Sequence, residues 1–268
     1  MHLKRRHWLT TAAAVLATAC ASQAPVRPGP APASPEARAV LAPKGRLRVG
    51  VYPGSPTSLV TDAQGRRAGV AYEVGAAVGK WLAVPVDVVE YPRVAEVVEA
   101  LRREEVDFTF TNALPARARL VSFGQPLVSV ELGYLAPPAG KVRAVADIDR
   151  PGVRVGVTQG SSSQVTLGRQ FQHAAIVPAA SLEAAAEMLG QGTIDVFATN
   201  KAILNELADN VPGARILDGR WGLEHMAVAV PKGREAGLRQ LDAFTQGLRH
   251  DGTLAAIIQR AGLRGTAP

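Results

Sequence analysis

Two asparagines and one arginine are the polar side chains whose positions in the sequence favour binding chemistry. Asn112 and Asn200 each close a segment of alternating apolar and Thr residues that predicts a β-strand. Arg117 follows in the loop after Asn112, where a guanidinium can hold a carboxylate through two parallel N–H···O bonds. A solvated surface role is the alternative for an arginine in a loop. These three positions predict a site for a small ligand with a carboxylate.

A serine-rich turn is the second candidate for binding chemistry. Gly160-Ser161-Ser162-Ser163 lies between a predicted strand and a predicted helix. The free N–H groups and hydroxyls of such a turn suit an anion, with Ser161 and Ser162 as the candidate contacts. Plain capping of the helix is the alternative, and the two roles are compatible.

Catalytic and metal chemistry find little support in the sequence. His173, His225 and His250 have no Cys or acidic neighbours at the spacing of metal ligands. The Ser161–Ser163 run does not form a nucleophile elbow, and the glycines do not form a phosphate-binding Gly-Lys-Ser/Thr loop. We therefore predict a binding protein with no catalytic residues, no metal and no cofactor.

The net charge of the chain argues against a nucleic-acid partner. Thirty Lys and Arg residues against 23 Asp and Glu give a formal charge of +7. Three of the basic residues lie near the amino terminus, in a segment that we expect to be removed. The others are scattered rather than interleaved with aromatics, so they suit solubility and an anionic ligand.

An internal repeat explains how the candidate residues are positioned. Arg48–Val51 recurs as Arg154–Val157, and Val106–Asn112 recurs in the same order as Ile194–Asn200. Two matches in one order predict two related lobes. Asn112 and Asn200 would then end equivalent strands, where ligands of open α/β sheets bind.

Hydrophobic periodicity predicts strands alternating with helices throughout the body of the chain. Leu47, Val49 and Val51 alternate as a strand, whereas apolar residues from Val70 to Leu82 fall on one helical face. This order predicts an α/β protein with parallel sheets that are covered on both faces.

Five short segments resemble the extracellular solute-binding proteins of the amino-acid-binding family, which serve ABC importers. They occur in the order typical of that family and span about residues 46–262. The segments are Leu47–Val51, Gly69–Val74, Pro115–Phe123, Val155–Ser162 and His250–Leu254.

The resemblance implies a two-lobed fold of the periplasmic-binding-protein type 2. Such a protein has two mainly parallel sheets flanked by helices and a double-crossover hinge. Lobe 1 would comprise residues 46–138 and 223–268, and lobe 2 residues 139–222. The crossovers would lie near Pro137-Pro138 and Trp221-Gly222.

The resemblance also implies a ligand site that departs from the family pattern. Arg117 stands where the family grips a carboxylate, but Asn200 replaces the Asp that neutralises a ligand's α-ammonium. Tyr52 stands where some members carry a second acid. We expect Tyr52, Asn112, Arg117, Ser161, Ser162 and Asn200 to contact the ligand. Without an acid, the site should favour a small organic anion over zwitterionic amino acids.

The implied function is that of the substrate-binding component of an ABC importer. It would act as a monomer and deliver its ligand to an inner-membrane permease. A periplasmic sensor module is one alternative. A cyclohexadienyl-dehydratase-like enzyme is another, and Glu224-His225 is the one acidic pair to consider for it. A contact in the hinge or the return strand is the simpler expectation for that pair.

The amino terminus predicts export. Lys4, Arg5 and Arg6 precede an apolar run from Trp8 to Ala19, which is too short for the roughly 20 residues that a bilayer requires. Residues 1–19 therefore predict a signal peptide. The basic residues fit a twin-arginine signal and an ordinary basic n-region equally well.

Cys20 is the only cysteine and the predicted point of membrane attachment. It closes Leu16–Cys20, which is similar to a bacterial lipoprotein cleavage site, although simple signal-peptidase cleavage after Ala19 is the alternative. Residues 20–45 are rich in Pro, Ala and Ser and predict a disordered, semi-rigid spacer. The sequence thus predicts a periplasmic lipoprotein.

Overall fold

The computed structural model describes residues 31–267. Across that range, no helix combines the length and the apolar character needed to cross a membrane. The elements up to the middle of the chain are α1 (Pro35–Leu41), β1 (Leu47–Val51), β2 (Val60–Thr61), β3 (Arg67–Ala68), α2 (Val70–Leu82), β4 (Val86–Glu90), α3 (Val94–Arg102), β5 (Thr109–Asn112), α4 (Pro115–Ala118), β6 (Val121–Phe123) and β7 (Val128–Ala136).

The second half of the chain continues the alternation after a short 3₁₀ turn at Val145–Asp147. Its elements are β8 (Arg154–Thr158), α5 (Ser162–Gln170), β9 (Ala175–Ala179), α6 (Leu182–Gly190), β10 (Val196–Asn200), α7 (Lys201–Asn210), β11 (Arg215–Ile216), β12 (Gly222–Pro231), α8 (Glu235–His250), α9 (Thr253–Arg260) and β13 (Thr266–Ala267). The predicted α/β class is confirmed.

Lobe 1 is built around the parallel strands β1, β4 and β5. β1 pairs with β4, and a parallel bridge joins Val49 on β1 to Phe108, the residue just before β5. Helix α2 buries Val70, Val74, Val78 and Leu82, which recur every four residues and therefore form one apolar stripe. The ends of β1 and β5 point toward lobe 2.

Lobe 2 repeats this plan with β8 between β9 and β10. Both neighbours run parallel to β8. Phe197 on β10 and Leu167 on α5 are fully buried, so the sheet is covered on both sides. The two-lobed arrangement predicted from the repeat is confirmed.

Two long antiparallel strands, β7 and β12, join the lobes. They link the strands into one mixed sheet in the order β5-β12-β7-β10-β8-β9. The predicted two-lobed fold of the periplasmic-binding-protein type 2, with a hinge of two crossing strands, is confirmed. The alternation of helices and strands predicts parallel neighbours within a lobe, but it does not show that one strand can serve both lobes.

The first crossover lies within β7 rather than at Pro137-Pro138. Leu132 is the point at which β7 changes partner, because it pairs with both Gly222 on β12 and Asn200 on β10. Beyond it, β7 pairs only with strands of lobe 2. Two consecutive prolines resemble a linker in sequence, whereas a change of partner leaves no mark in an unbroken apolar strand. On the other joining strand, β12 begins at Gly222, opposite Leu132; the second crossover near Trp221-Gly222 stays a prediction.

Residues 34–42 belong to lobe 1, so the prediction of an unpacked spacer through residue 45 is wrong there. Ser34 caps α1, and Pro35 occupies its first turn. Ala37 and Leu41 are buried, with Leu41 close to Gly237 on α8. Composition suggested a spacer, but α8 supplies a partner for these two apolar side chains. The signal peptide, Cys20 and the rest of the spacer to residue 30 lie outside the described residues.

Candidate ligand-binding site

A small enclosed cavity of about 30 Å³ lies between the lobes. All six residues predicted to contact a ligand line it: Tyr52, Asn112, Arg117, Ser161, Ser162 and Asn200. They come from strand ends, the α4 turn and the start of α5, so the fold brings together residues that are far apart in sequence. Their role as ligand contacts stays a prediction.

The two asparagines are held in a fixed orientation. Asn112 ends β5, and its Oδ1 accepts a hydrogen bond from the backbone N–H of His225 at 3.2 Å. Asn200 ends β10 and caps α7, with its Oδ1 accepting from the N–H of Ile203 at 3.1 Å. Since each amide oxygen is engaged by a backbone donor, each Nδ2 group is turned toward the cavity.

Glu224, on the crossover strand β12, receives both amide groups. Asn112 Nδ2 donates to its Oε1 at 3.1 Å, and Asn200 Nδ2 donates to its Oε2 at 2.9 Å. Ser162 Oγ adds a third bond to Oε1 at 2.8 Å. The Glu224 residue is only 7% exposed. The cavity thus contains a buried carboxylate with three neutral donors.

Arg117 supplies the positive charge of the cavity. Its Nη1 donates to Thr111 Oγ1 at 2.9 Å and, at 3.4 Å, to the carbonyl of Asn112. Burial lowers the pKa of Arg117, and the charge of Glu224 opposes that shift. Among the described residues, the Nε and Nη2 groups of Arg117 have no hydrogen-bond acceptor and form no ion pair within 4 Å. That edge of the guanidinium is available to a carboxylate.

The serine turn caps a helix and also contacts the buried carboxylate of the cavity, while its binding of a ligand anion stays a prediction. Ser161 Oγ accepts from the N–H of Gln164 at 3.2 Å, which is an ordinary helix cap. Ser162 Oγ instead donates to Glu224, as described above. Gly160 precedes them with φ of +74°, a left-handed conformation that favours glycine.

Tyr52 closes the lobe 1 side of the cavity. Its hydroxyl lies 3.3 Å from Ser55 Oγ, and its backbone N–H donates to Ser58 Oγ at 2.8 Å. Burial raises the pKa of Tyr52, so it contributes a neutral hydroxyl rather than a second acid. Ser55 and Ser58 are fully buried and hold Tyr52 in place.

The lobes touch each other around the cavity. Arg93 on lobe 1 donates from Nη1 to the carbonyl of Ala180 on lobe 2 at 3.2 Å. A Cβ atom on Gly160 would lie only 2.7 Å from the Cβ of Ala95 in α3. The structure is therefore a closed form in which the cavity is walled by both lobes.

Metal ligands are not grouped in the described region. Between residues 31 and 267, no cluster of three or more His, Cys, Asp or Glu side chains could hold a metal ion.

Six further polar residues that were not predicted as ligand contacts also line the cavity: Arg93, Thr111, Thr158, Ser163, Thr199 and Glu224. The apolar run Met226–Val230 predicts a return strand that starts at Met226, whereas β12 begins at Gly222. Because side chains two residues apart share a face of a strand, extending the strand would have placed Glu224 beside Met226, which also lines the cavity. The signal was present, but it was read as a hinge contact.

Comparison with known proteins assigns the chain to a family. Residues 47–263 match the model of the bacterial extracellular solute-binding proteins, family 3. No curated protein matches the sequence significantly. Many solved structures match the fold.

Three solved structures illustrate the similarity. A mutant of ArgBP from T. maritima is 18% identical with a TM-score of 0.76, covering 84% of this chain and 99% of its own. A solute receptor for L-cysteine from Neisseria gonorrhoeae is 24% identical with a TM-score of 0.75, covering 84% and 92%. An ancestral amino-acid-binding protein, a precursor of cyclohexadienyl dehydratase, is 21% identical with a TM-score of 0.73, covering 83% and 98%. At these identities the likeness shows the fold alone.

Proposed function

The chain belongs to family 3 of the bacterial extracellular solute-binding proteins, and from this premise we propose that it is the substrate-binding component of an ABC importer. It binds a small carboxylate ligand between its lobes and presents the closed form to an inner-membrane permease. A monomer suffices for this role because both walls of the cavity come from one chain.

The observation that carries the proposal is the available edge of Arg117. The Nε and Nη2 groups of a guanidinium that lines the cavity can form two parallel bonds to one carboxylate. Lysine would keep the charge but lose this planar pair of donors, so Arg117→Lys is a sharper variant than removal of the side chain.

Calorimetry with amino acids and simple carboxylates tests this assignment. We expect Arg117→Lys to weaken binding by at least tenfold and Arg117→Ala to abolish it. The exposed Arg119, two residues further on, provides the control, because Arg119→Ala changes the same net charge outside the cavity. Equal affinity of the Arg117→Ala variant and the unmutated protein would refute the proposal.

The prediction that the ligand has a net negative charge rested on a wrong premise. It assumed that the cavity lacks an acid because Asn200 replaces the usual Asp. Glu224 lies in the cavity and bonds to Asn200, so the absence of an acid no longer argues against an amino acid.

Ligand binding should favour closure. Contacts from both lobes around the cavity mean that a bound ligand stabilises the closed form relative to an open one. Small-angle scattering of the protein with and without a binding amino acid should show a smaller radius of gyration with ligand. An unchanged radius at saturation would indicate a rigid receptor.

Periplasmic location and lipid attachment are parts of the same proposal. The family is extracellular, and Cys20 follows a predicted signal peptide of residues 1–19. Mass spectrometry of the native amino terminus should find a diacylglyceryl-modified Cys20. An unmodified Cys20 or Ala21 at the terminus would indicate a freely diffusing protein.

A dehydratase-like enzyme is the second candidate, and the observation that favours it is the buried Glu224. In such an enzyme this side chain would act as an acid toward a prephenate-like substrate. All three of its hydrogen bonds are donated to it, which suits an accepting carboxylate better than a donating acid. Absence of product after incubation with prephenate would exclude this candidate.

A further inference from the structure

We infer that Glu224 is the group that binds the ligand's ammonium, and hence that the ligand is a zwitterionic amino acid. The inference rests on the proposed function, because it takes Arg117 as the partner of the ligand's carboxylate. It assigns the negative charge of the site to the crossover strand β12 rather than to the end of β10.

The first step is the unbalanced charge of Glu224. The carboxylate is buried, and its described partners are two amides and one hydroxyl, all of them neutral. A buried carboxylate is costly unless it is paired with a positive charge. No Lys or Arg of the described chain forms an ion pair with it. A ligand cation would supply the missing partner.

The second step is the acceptor capacity of the two carboxylate oxygens. An ionised carboxylate has about four acceptor positions. Asn112 and Ser162 occupy two on Oε1, whereas Asn200 alone bonds to Oε2. One position therefore stays open on Oε2, beside the end of β10, where an ammonium N–H can donate.

The third step is the separation of the two charges. Arg117 and Glu224 both line the cavity, and both influence the pKa of Tyr52, yet they form no ion pair within 4 Å. Had they joined directly, each would have satisfied the other. Held apart across one small cavity, they match a molecule that has a carboxylate and an ammonium on the same carbon atom.

The fourth step is the dependence of Glu224 on Asn200. With its Oδ1 held by Ile203, Asn200 can only present a donor to Glu224. An Asp at that position would place two carboxylates within hydrogen-bond distance, and their repulsion would disfavour the pair. The Asn200 amide therefore stabilises the Glu224 carboxylate by donating a hydrogen bond to it.

The site is also completed by lobe closure. Asn112 belongs to lobe 1, Asn200 and Ser162 belong to lobe 2, and Glu224 lies on the strand that joins them. An ammonium bound to Glu224 would therefore be held by groups that meet only when the lobes are closed.

A charge-exchange experiment tests the inference. The probes are the twenty L-amino acids and, for each one that binds, the same acid without its α-ammonium. The variants are Glu224→Gln, Asn200→Asp and the two together. Glu131→Gln is the control, since Glu131 lies on the other crossover strand and pairs with Lys201 and Arg220. Thermal unfolding checks that each variant is folded.

We expect the unmutated protein to bind an amino acid at least 100-fold more tightly than its deaminated analogue. Glu224→Gln should lose that preference, and Asn200→Asp alone should weaken binding by like-charge repulsion. The double variant should recover to within about tenfold, because it returns one acid to the site. Glu131→Gln should bind as the unmutated protein does.

Two results would overturn the inference, and they differ in what they say of the proposed function. The first is tight binding of the deaminated acid by both the unmutated protein and the Glu224→Gln variant. It would show that Glu224 does not bind an ammonium, but the protein would still be a carboxylate receptor that depends on Arg117. Binding of neither probe by the unmutated, folded protein would overturn both.

Discussion

The two lobes repeat one Arg–Asp pair in two different environments. In lobe 1, Arg48 binds Asp107 through its backbone N–H, Nε and Nη2, and in lobe 2 Arg154 binds Asp195 through the same three groups. The Asp107 side chain is fully buried and is shared with Arg234, whereas the Asp195 side chain is 11% exposed and has the half-exposed Lys141 as its second partner.

The difference shows that one sequence motif serves two purposes. The Asp107 carboxylate compensates the buried Arg234 and the mostly buried Arg48, so lobe 1 depends on it. The Asp195 carboxylate orders the start of β8 at a surface where Arg154 and Lys141 remain largely hydrated. Lobe 1 also carries α1, α8 and α9, and we expect it to be the more stable platform on which lobe 2 closes.

The largest effect should come from breaking the buried pair. Asp107→Asn leaves Arg48 and the buried Arg234 without their shared charge, and removing one partner of a buried pair costs about 3–5 kcal/mol. Asp195→Asn should cost about 1 kcal/mol, because its partners are exposed. Urea unfolding followed by circular dichroism gives both values. Equal losses would mean that burial does not distinguish the lobes.

The stability of the protein at acid pH should show the same difference between Asp107 and Asp195. Burial would raise the pKa of Asp107, but the hydrogen bonds from Arg48 and the charge of Arg234 lower it overall. A carboxyl whose pKa is lower in the folded state stabilises the protein at pH values above its pKa in the unfolded state, which is about 3.9. This stability is lost as the pH falls through the pKa of the folded state. We expect Asp107→Asn to flatten the fall in stability below about pH 4 more than Asp195→Asn does. Unfolding curves from pH 5 to 2.5 measure this.

The rims of the two lobes offer a matched pair of glycines. Gly54 and Gly160 have similar left-handed φ values of +79° and +74°, so Ala costs about 1 kcal/mol of backbone strain at either one. At Gly160 the added Cβ would lie only 2.7 Å from Ala95 of the other lobe, whereas at Gly54 it would make an ordinary contact of 3.4 Å with Leu182 of the other lobe. Gly160→Ala should weaken amino-acid binding about tenfold more than Gly54→Ala, on the premise that a clash of this size costs about 1.4 kcal/mol. Similar affinities would show that closure tolerates the contact.

The smallest effects should separate the two serines of the turn. Ser161→Ala removes a helix cap and should lower stability by about 1 kcal/mol with little change in affinity. Ser162→Ala removes a donor to Glu224 and should lower affinity several-fold with little change in stability. Thermal unfolding and calorimetry on the two variants decide it, and the opposite pattern would exchange their roles.

Much of the site could be predicted because strand ends leave a local signature. Asn112, Asn200 and the serine turn each follow an apolar run, and the repeat placed the two asparagines at equivalent positions. All six predicted residues line one cavity. Glu224 was not predicted to be part of it, because one acid in a strand gives no sign of which distant groups it will meet.

The sequence by itself determined the two lobes and their alternating elements, since burial periodicity and repeats are local properties of the chain. Tertiary structure alone decided the rest. It set the change of partner at Leu132, the packing of α1 on α8, and the meeting of Glu224 with Asn112 and Asn200. These three features depend on contacts between residues that are far apart in sequence. The residues next to a side chain in the sequence do not determine which distant residue it will contact.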